Sequence, residues 1–110
     1  MPNETLGRFE LQVLLAVMHH GDDAYGVPVA DAIDEASGRE TNAAHIYLTL
    51  DRLEEHGFVT SHRGESTPER GGEAKMYFRV TGKGLRAARD AQRTSIKSWN
   101  RVPNLQGATA

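Results

Sequence analysis

The stretch Asn42-Ala43-Ala44-His45-Ile46-Tyr47-Leu48-Thr49-Leu50-Asp51-Arg52-Leu53-Glu54-Glu55-His56-Gly57 decides how the chain is read. On a 3.6-residue wheel Ile46, Leu50 and Leu53 fall on one stripe, with Ala43 and Tyr47 on its flank, so this segment is expected to be a helix packed on the rest of the domain by that face. Thr41 or Asn42 can cap its start by accepting a free backbone N–H of the first turn. Gly57 ends it. His45, Thr49, Arg52 and His56 form an adjacent polar face, and Ala44, Leu48, Asp51 and Glu55 lie farther round.

Working outward toward the carboxy terminus, Phe58-Val59-Thr60-Ser61-His62-Arg63 and Lys75-Met76-Tyr77-Phe78-Arg79-Val80 each have strand composition. Between them, residues 64–72 hold Pro68, Gly71 and Gly72, which suits a two-stranded hairpin with a long tip. Thr81 then caps a last helix. Within it Leu85, Ala88, Gln92, Ile96 and Trp99 keep a loose seven-residue spacing suited to meeting a copy of itself. Pro103 bounds that helix, and the remaining residues are expected to be a frayed, disordered tail.

Upstream, Phe9, Val13 and Val17 recur at fourfold spacing across residues 6–20, with Leu11, Leu14, Leu15 and Met18 widening the stripe into a mostly buried first helix. Gly21 can end it, and Asp22-Asp23-Ala24 reads as a turn. Pro28 fits only a first helical turn, so a second helix starts near Gly26 and stops at Ser37-Gly38. Two short helices joined by a turn, the second with separate apolar and polar faces, make a helix-turn-helix, and the hairpin after them is a wing. The expected fold is mainly α with one small β-hairpin. Residues 1–81 form a winged helix-turn-helix domain, 82–102 a carboxy-terminal dimerisation helix, and 103–110 the tail.

A chain of 110 residues, 38% hydrophobic and 25% charged, suits one small domain and argues against a large enzyme cleft. With no cysteine there is neither a disulfide framework nor a thiolate metal site. No apolar run approaches the ~20 residues of a membrane span, and residues 1–9 lack the basic-then-apolar layout of a signal peptide. A cytoplasmic protein is expected. The net charge of −2 hides an asymmetry, because residues 1–60 carry three basic side chains against eleven acidic ones, and residues 61–110 carry ten against four. Opposite halves of this kind suit a charged partner, although a solvated basic helix after residue 83 gives the same count.

A helix sized for the major groove beside a basic hairpin is a two-point reader of double-stranded DNA. Asn42, Ala43 and their neighbours lie at a helix start whose N–H groups and dipole favour a phosphate. His45, Thr49 and Arg52 are expected to face the groove, with Arg52 the candidate for a bidentate guanine contact; an ion pair with Glu54, Glu55 or another nearby acid is the alternative. Tyr47 is expected to pack on the core with its hydroxyl at the interface. Tyr25 either touches phosphate or fills the core. In the wing, Arg63, Arg70 and Lys75 suit phosphate or minor-groove contacts; Glu65, Glu69 and Glu73 oppose this, and a charge-balanced mobile tip is the alternative.

His19-His20 with Asp22-Asp23 is the densest group of potential metal ligands, but adjacent helical residues do not face one another, and no metal or other cofactor is expected. No hydrolase triad, phosphate loop or carboxylate pair appears, so no enzyme is expected. Trp99, doubled by two-fold symmetry in a dimer, either packs the interface or helps two indoles stack a small aromatic effector.

In this order and spacing, Tyr25-Gly26-Val27, Ile46-Tyr47, Leu50-Asp51-Arg52-Leu53-Glu54, Gly57, Pro68-Glu69-Arg70-Gly71-Gly72, and Lys75, Tyr77, Thr81 and Gly84 resemble the PadR family of bacterial transcriptional regulators. The similarity covers roughly residues 6–89. It implies a homodimeric winged-helix repressor whose carboxy-terminal helix builds the dimer. The different expectation is a winged helix serving as a protein interaction module, bound through the acidic face between Asp31 and Glu55.

Overall fold

Among the described residues, four helices and one antiparallel hairpin follow one another as α1 (Arg8–His20), a 3-10 turn (Gly21–Asp23), α2 (Gly26–Ser37), α3 (Ala43–Glu55), β1 (Val59–Arg63), β2 (Met76–Val80) and α4 (Gly82–Asn100). This computed structural model describes residues 6–64 and 75–103. The strands pair from Val59↔Val80 to Arg63↔Met76. The expected architecture, a helix-turn-helix with a wing, is therefore present. The hairpin tip, with Arg70 and the three opposing glutamates, and the tail after Pro103 lie outside the described residues.

Local chemistry sets each boundary. At the start of α1 the Glu10 carboxylate accepts the Gly7 N–H at 2.8 Å, which satisfies one of the donors a helix leaves unpaired at its first turn. Between α2 and α3, Gly38 takes a left-handed conformation with φ 71° and donates to the Asp34 carbonyl. The Asp34 side chain in turn accepts the Thr41 N–H at 2.7 Å. Both ends of the turn are thus tied to one aspartate. Asn42 caps α3 through Oδ1, which accepts the Ala44 N–H at 2.8 Å.

Val13, Leu14 and Val17 of α1 meet Val29 and Ile33 of α2 and Ile46, Leu50 and Leu53 of α3 in the core. Each such side chain, fully removed from water, contributes about 1.5–3 kcal/mol. The stripe on α1 is narrower than its composition suggested, because Leu15 and Met18 stay 47% and 37% exposed.

The hairpin closes the core and seats α4. Phe58, Val59 and Phe78 are buried beneath it. Thr81 Oγ1 accepts the Gly84 N–H at 3.0 Å and donates to the Gly57 carbonyl at 2.6 Å, while Lys83 Nζ donates to the His56 carbonyl at 2.7 Å. Gly84 lies so close to the Phe58 carbonyl that a Cβ there would overlap it. The first turn of α4 is locked to the base of the wing by these contacts. Ala88, expected at a dimer interface, is instead 5% exposed within its own subunit and belongs to this core; its small side chain is what lets α4 lie close. Beyond it, every residue from 92 to 103 is exposed.

Candidate nucleic-acid interface

The faces of α3 are set by what α1 takes from it. Ile46, Leu50 and Leu53 are buried as their spacing requires, and Thr49 joins them at 1% exposure. Its Oγ1 donates to the His45 carbonyl one turn back at 2.8 Å. Thr49 therefore does not face the groove, contrary to the expectation, because it sits on the α1 side of the apolar stripe and not beyond its edge. His45 is exposed, yet its ring stacks on Phe9 of α1 with centroids 4.3 Å apart. Arg52, with 56% of its side chain exposed, approaches Glu10 of α1 at 3.9 Å. That separation and exposure make the pair a weak tether.

The outward face of α3 is the one the wheel placed farther round. Ala43, Ala44 and Asp51 are exposed, Leu48 is 62% exposed and Tyr47 48%. Tyr47 leans toward the start of α2, where a Cβ on Gly26 would overlap its hydroxyl. Only glycine lets the tyrosine lie across that helix start, so the Tyr47 hydroxyl sits beside the positive end of the α2 dipole.

The same helix start is joined to the wing. Phe78 N–H donates to the Ala24 carbonyl at 2.8 Å, and Tyr25 and Tyr77 form an isolated antiparallel bridge. Their rings meet edge to face with centroids 5.4 Å apart. Lys75 Nζ lies 4.2 Å from the centre of the Tyr25 ring, within cation–π range. On the other side of Tyr77 the His62 ring stacks at 5.6 Å. A row of Lys75, Tyr25, Tyr77 and His62 thus spans from helix to hairpin. Arg63 is exposed at the end of β1. Glu54, at the far end of α3, accepts both the N–H and the hydroxyl of Ser61 at 3.2 and 2.6 Å, so the wing is fastened to α3 as well.

Of the residues singled out in the sequence, Tyr25 and Lys75 meet where the α2 start joins the wing base and Tyr47 lies against that same helix start, whereas Asn42 and Ala43 lie at the start of α3, beyond the other end of α2. His45 and Arg52 lie toward α1, Thr49 is internal, and Arg70 is outside the described residues. The sequence pattern assigns no site role to Tyr77, His62 or Gly26. The first two are cross-strand partners, which a correct hairpin register alone would have paired.

On α4, Leu85 is half-buried, while Gln92, Ile96 (51%) and Trp99 (72%) are exposed. His19 and His20 meet edge to face at 5.1 Å, and among the described residues no three potential ligands converge on a metal position. Among the described residues no helix is long and apolar enough to cross a membrane.

Helix pair, wing and the shared surface between them define a winged helix-turn-helix protein. The model of the transcriptional regulator PadR-like family matches residues 14–90, and the chain belongs to that family. It is a family of regulators and not of enzymes. A PadR family transcriptional regulator from Eggerthella lenta superposes with a TM-score of 0.68 at 24% identity, covering 92% of this chain and 89% of its own. A PadR-like transcription factor from Bacteroides fragilis gives 0.67 at 24%, over 84% and 82%. A transcriptional regulator from Clostridium thermocellum gives 0.64 at 21%, over 86% and 92%. At these identities the likeness concerns the fold. A comparison with curated proteins found no match.

Proposed function

We propose that the protein is a homodimeric, sequence-specific DNA-binding repressor acting on a near-palindromic operator. The observation that carries this reading is the convergence of the α2 start, Tyr47 of α3 and the cation-bearing wing base. Helix starts and lysine or arginine side chains position phosphates, while an exposed helix face meets base edges. Exposure of Gln92, Ile96 and Trp99 supports dimerisation through the second half of α4. Each subunit then reads one half-site, with halves ~34–36 Å apart. The exposed Trp99 indole, doubled by symmetry, supports release by a small planar aromatic effector.

The outward carboxylates of Asp51 and Glu55 favour a second reading, a winged helix that docks a protein partner, since they interrupt positive charge between Arg52 and the wing. Incubation with random duplex DNA, followed by sequencing of what is retained, separates the two. Enrichment of a two-fold-related motif is the expected result, and retention without any motif would refute the DNA-reading function.

A further inference from the structure

We propose that α3 reads its operator by apolar contact with thymine methyl groups, through Ala44 and Leu48, and not by hydrogen bonds to guanine. This rests on the DNA-binding reading above and specifies the chemistry of that same surface.

Of the polar side chains expected to read bases from α3, Thr49 is internal, and His45 and Arg52 sit on the flank that faces α1. The Thr49 hydroxyl is buried and bonded inside its own helix, the His45 ring lies flat against Phe9, and the Arg52 guanidinium leans on Glu10. What the first two turns present outward is Ala44, Tyr47 and Leu48, with Leu48 62% exposed. Asp51 continues that face one turn on, but a carboxylate only accepts, and guanine shows two acceptors in the major groove. Among Ala44, Tyr47, Leu48 and Asp51 only the Tyr47 hydroxyl carries a donor.

The apolar feature that the bases display in the major groove is the thymine C5-methyl. A four-residue spacing places Ala44 and Leu48 one above the other, about 6 Å apart along the helix axis. That distance matches one to two base-pair steps, taking ~3.4 Å per step. Ala44 lets the helix backbone come close, and Leu48 supplies the longer reach. The site therefore takes a thymine-bearing half-site, with two methyl groups within one or two steps of each other.

The test uses the full chain and the duplex it selects from a random pool. Each thymine in the selected half-site is replaced by deoxyuridine, which removes the methyl group and leaves the pairing unchanged. At one or two positions affinity falls about fourfold, the worth of one apolar carbon taken out of water. Leu48→Ala abolishes the deoxyuridine effect at one of them, and its melting temperature matches the parent because the side chain is on the surface. A defined selected motif in which every deoxyuridine replacement changes affinity by less than 1.5-fold on the order-of-magnitude scale above would overturn the proposal and leave DNA reading intact. So would a motif led by guanine whose preference is lost in Arg52→Ala. A pool that yields no motif overturns the DNA reading and this proposal together.

Discussion

Replacing Thr49 by valine decides which side of α3 meets DNA. The hydroxyl is 1% exposed and donates to the His45 carbonyl at 2.8 Å. Its removal forfeits a neutral hydrogen bond worth about 0.5–1.5 kcal/mol net. The His45 carbonyl keeps the backbone bond of its helix, so no buried acceptor is orphaned. A methyl group of similar size enters the core in its place and returns about 0.8 kcal/mol of burial. Valine and threonine also have nearly equal helix propensities. These contributions leave a net change within about 1 kcal/mol of zero, or no more than roughly 4–8 °C in melting temperature for a domain of this size. A group without solvent contact forms no hydrogen bond to a base, so affinity and preferred sequence should stay within about twofold, or ~0.4 kcal/mol. Fluorescence anisotropy with the selected duplex and with a scrambled one, beside a thermal melt, measures both. A tenfold loss of specific affinity with an unchanged melt would refute the placement of Thr49 inside and the outward face assigned to Ala44 and Leu48.

Other substitutions test the remaining contacts. Leu50→Ala removes a fully buried side chain and should destabilise the domain by about 2–5 kcal/mol in urea titration; a change below 1 kcal/mol on that ~2–5 scale would mean the core is not built around α3. Gly84→Ala drives a Cβ into the Phe58 carbonyl, which should cost about 1–3 kcal/mol by chemical denaturation, and an unchanged midpoint would deny the close approach of α4 to the wing. Neutralising Arg63 and Lys75 together should reduce the slope of log affinity against log salt by about two units if each meets one phosphate, whereas an identical slope would place the wing base off the DNA. With Ile96 and Trp99 both changed to glutamate, sedimentation equilibrium should report a monomer that keeps its helical content, and a persistent dimer would move the interface away from α4.

The helices were legible because their signals are local. Asn42, Gly38 and Thr81 mark ends that depend only on neighbouring backbone groups, and Ile46, Leu50 and Leu53 fix the buried side of α3 by spacing alone. The reading of Thr49 failed for a reason of degree. A wheel gives the centre of a buried stripe, but its width depends on how closely the opposing helix approaches, and α1 approaches closely enough to cover one more position. Ala88 was misread in the opposite sense, since a heptad-like spacing does not distinguish a face turned to a copy of the chain from one turned to the same subunit. The link from Tyr25 to Lys75 and Tyr77 of the wing was invisible for another reason. It joins residues far apart in the chain, and nothing in the local pattern of either segment demands the partnership.

The backbone bond from Phe78 to the Ala24 carbonyl and the bridge between Tyr25 and Tyr77 couple the wing to the start of α2 by main-chain geometry. This coupling does not depend on which side chains stand at those positions. A ligand that touches both is measured against a fixed gauge. In the proposed role, adaptation to operators with different half-site spacing then falls to the joint between subunits, because main-chain contacts hold the wing base against the start of α2.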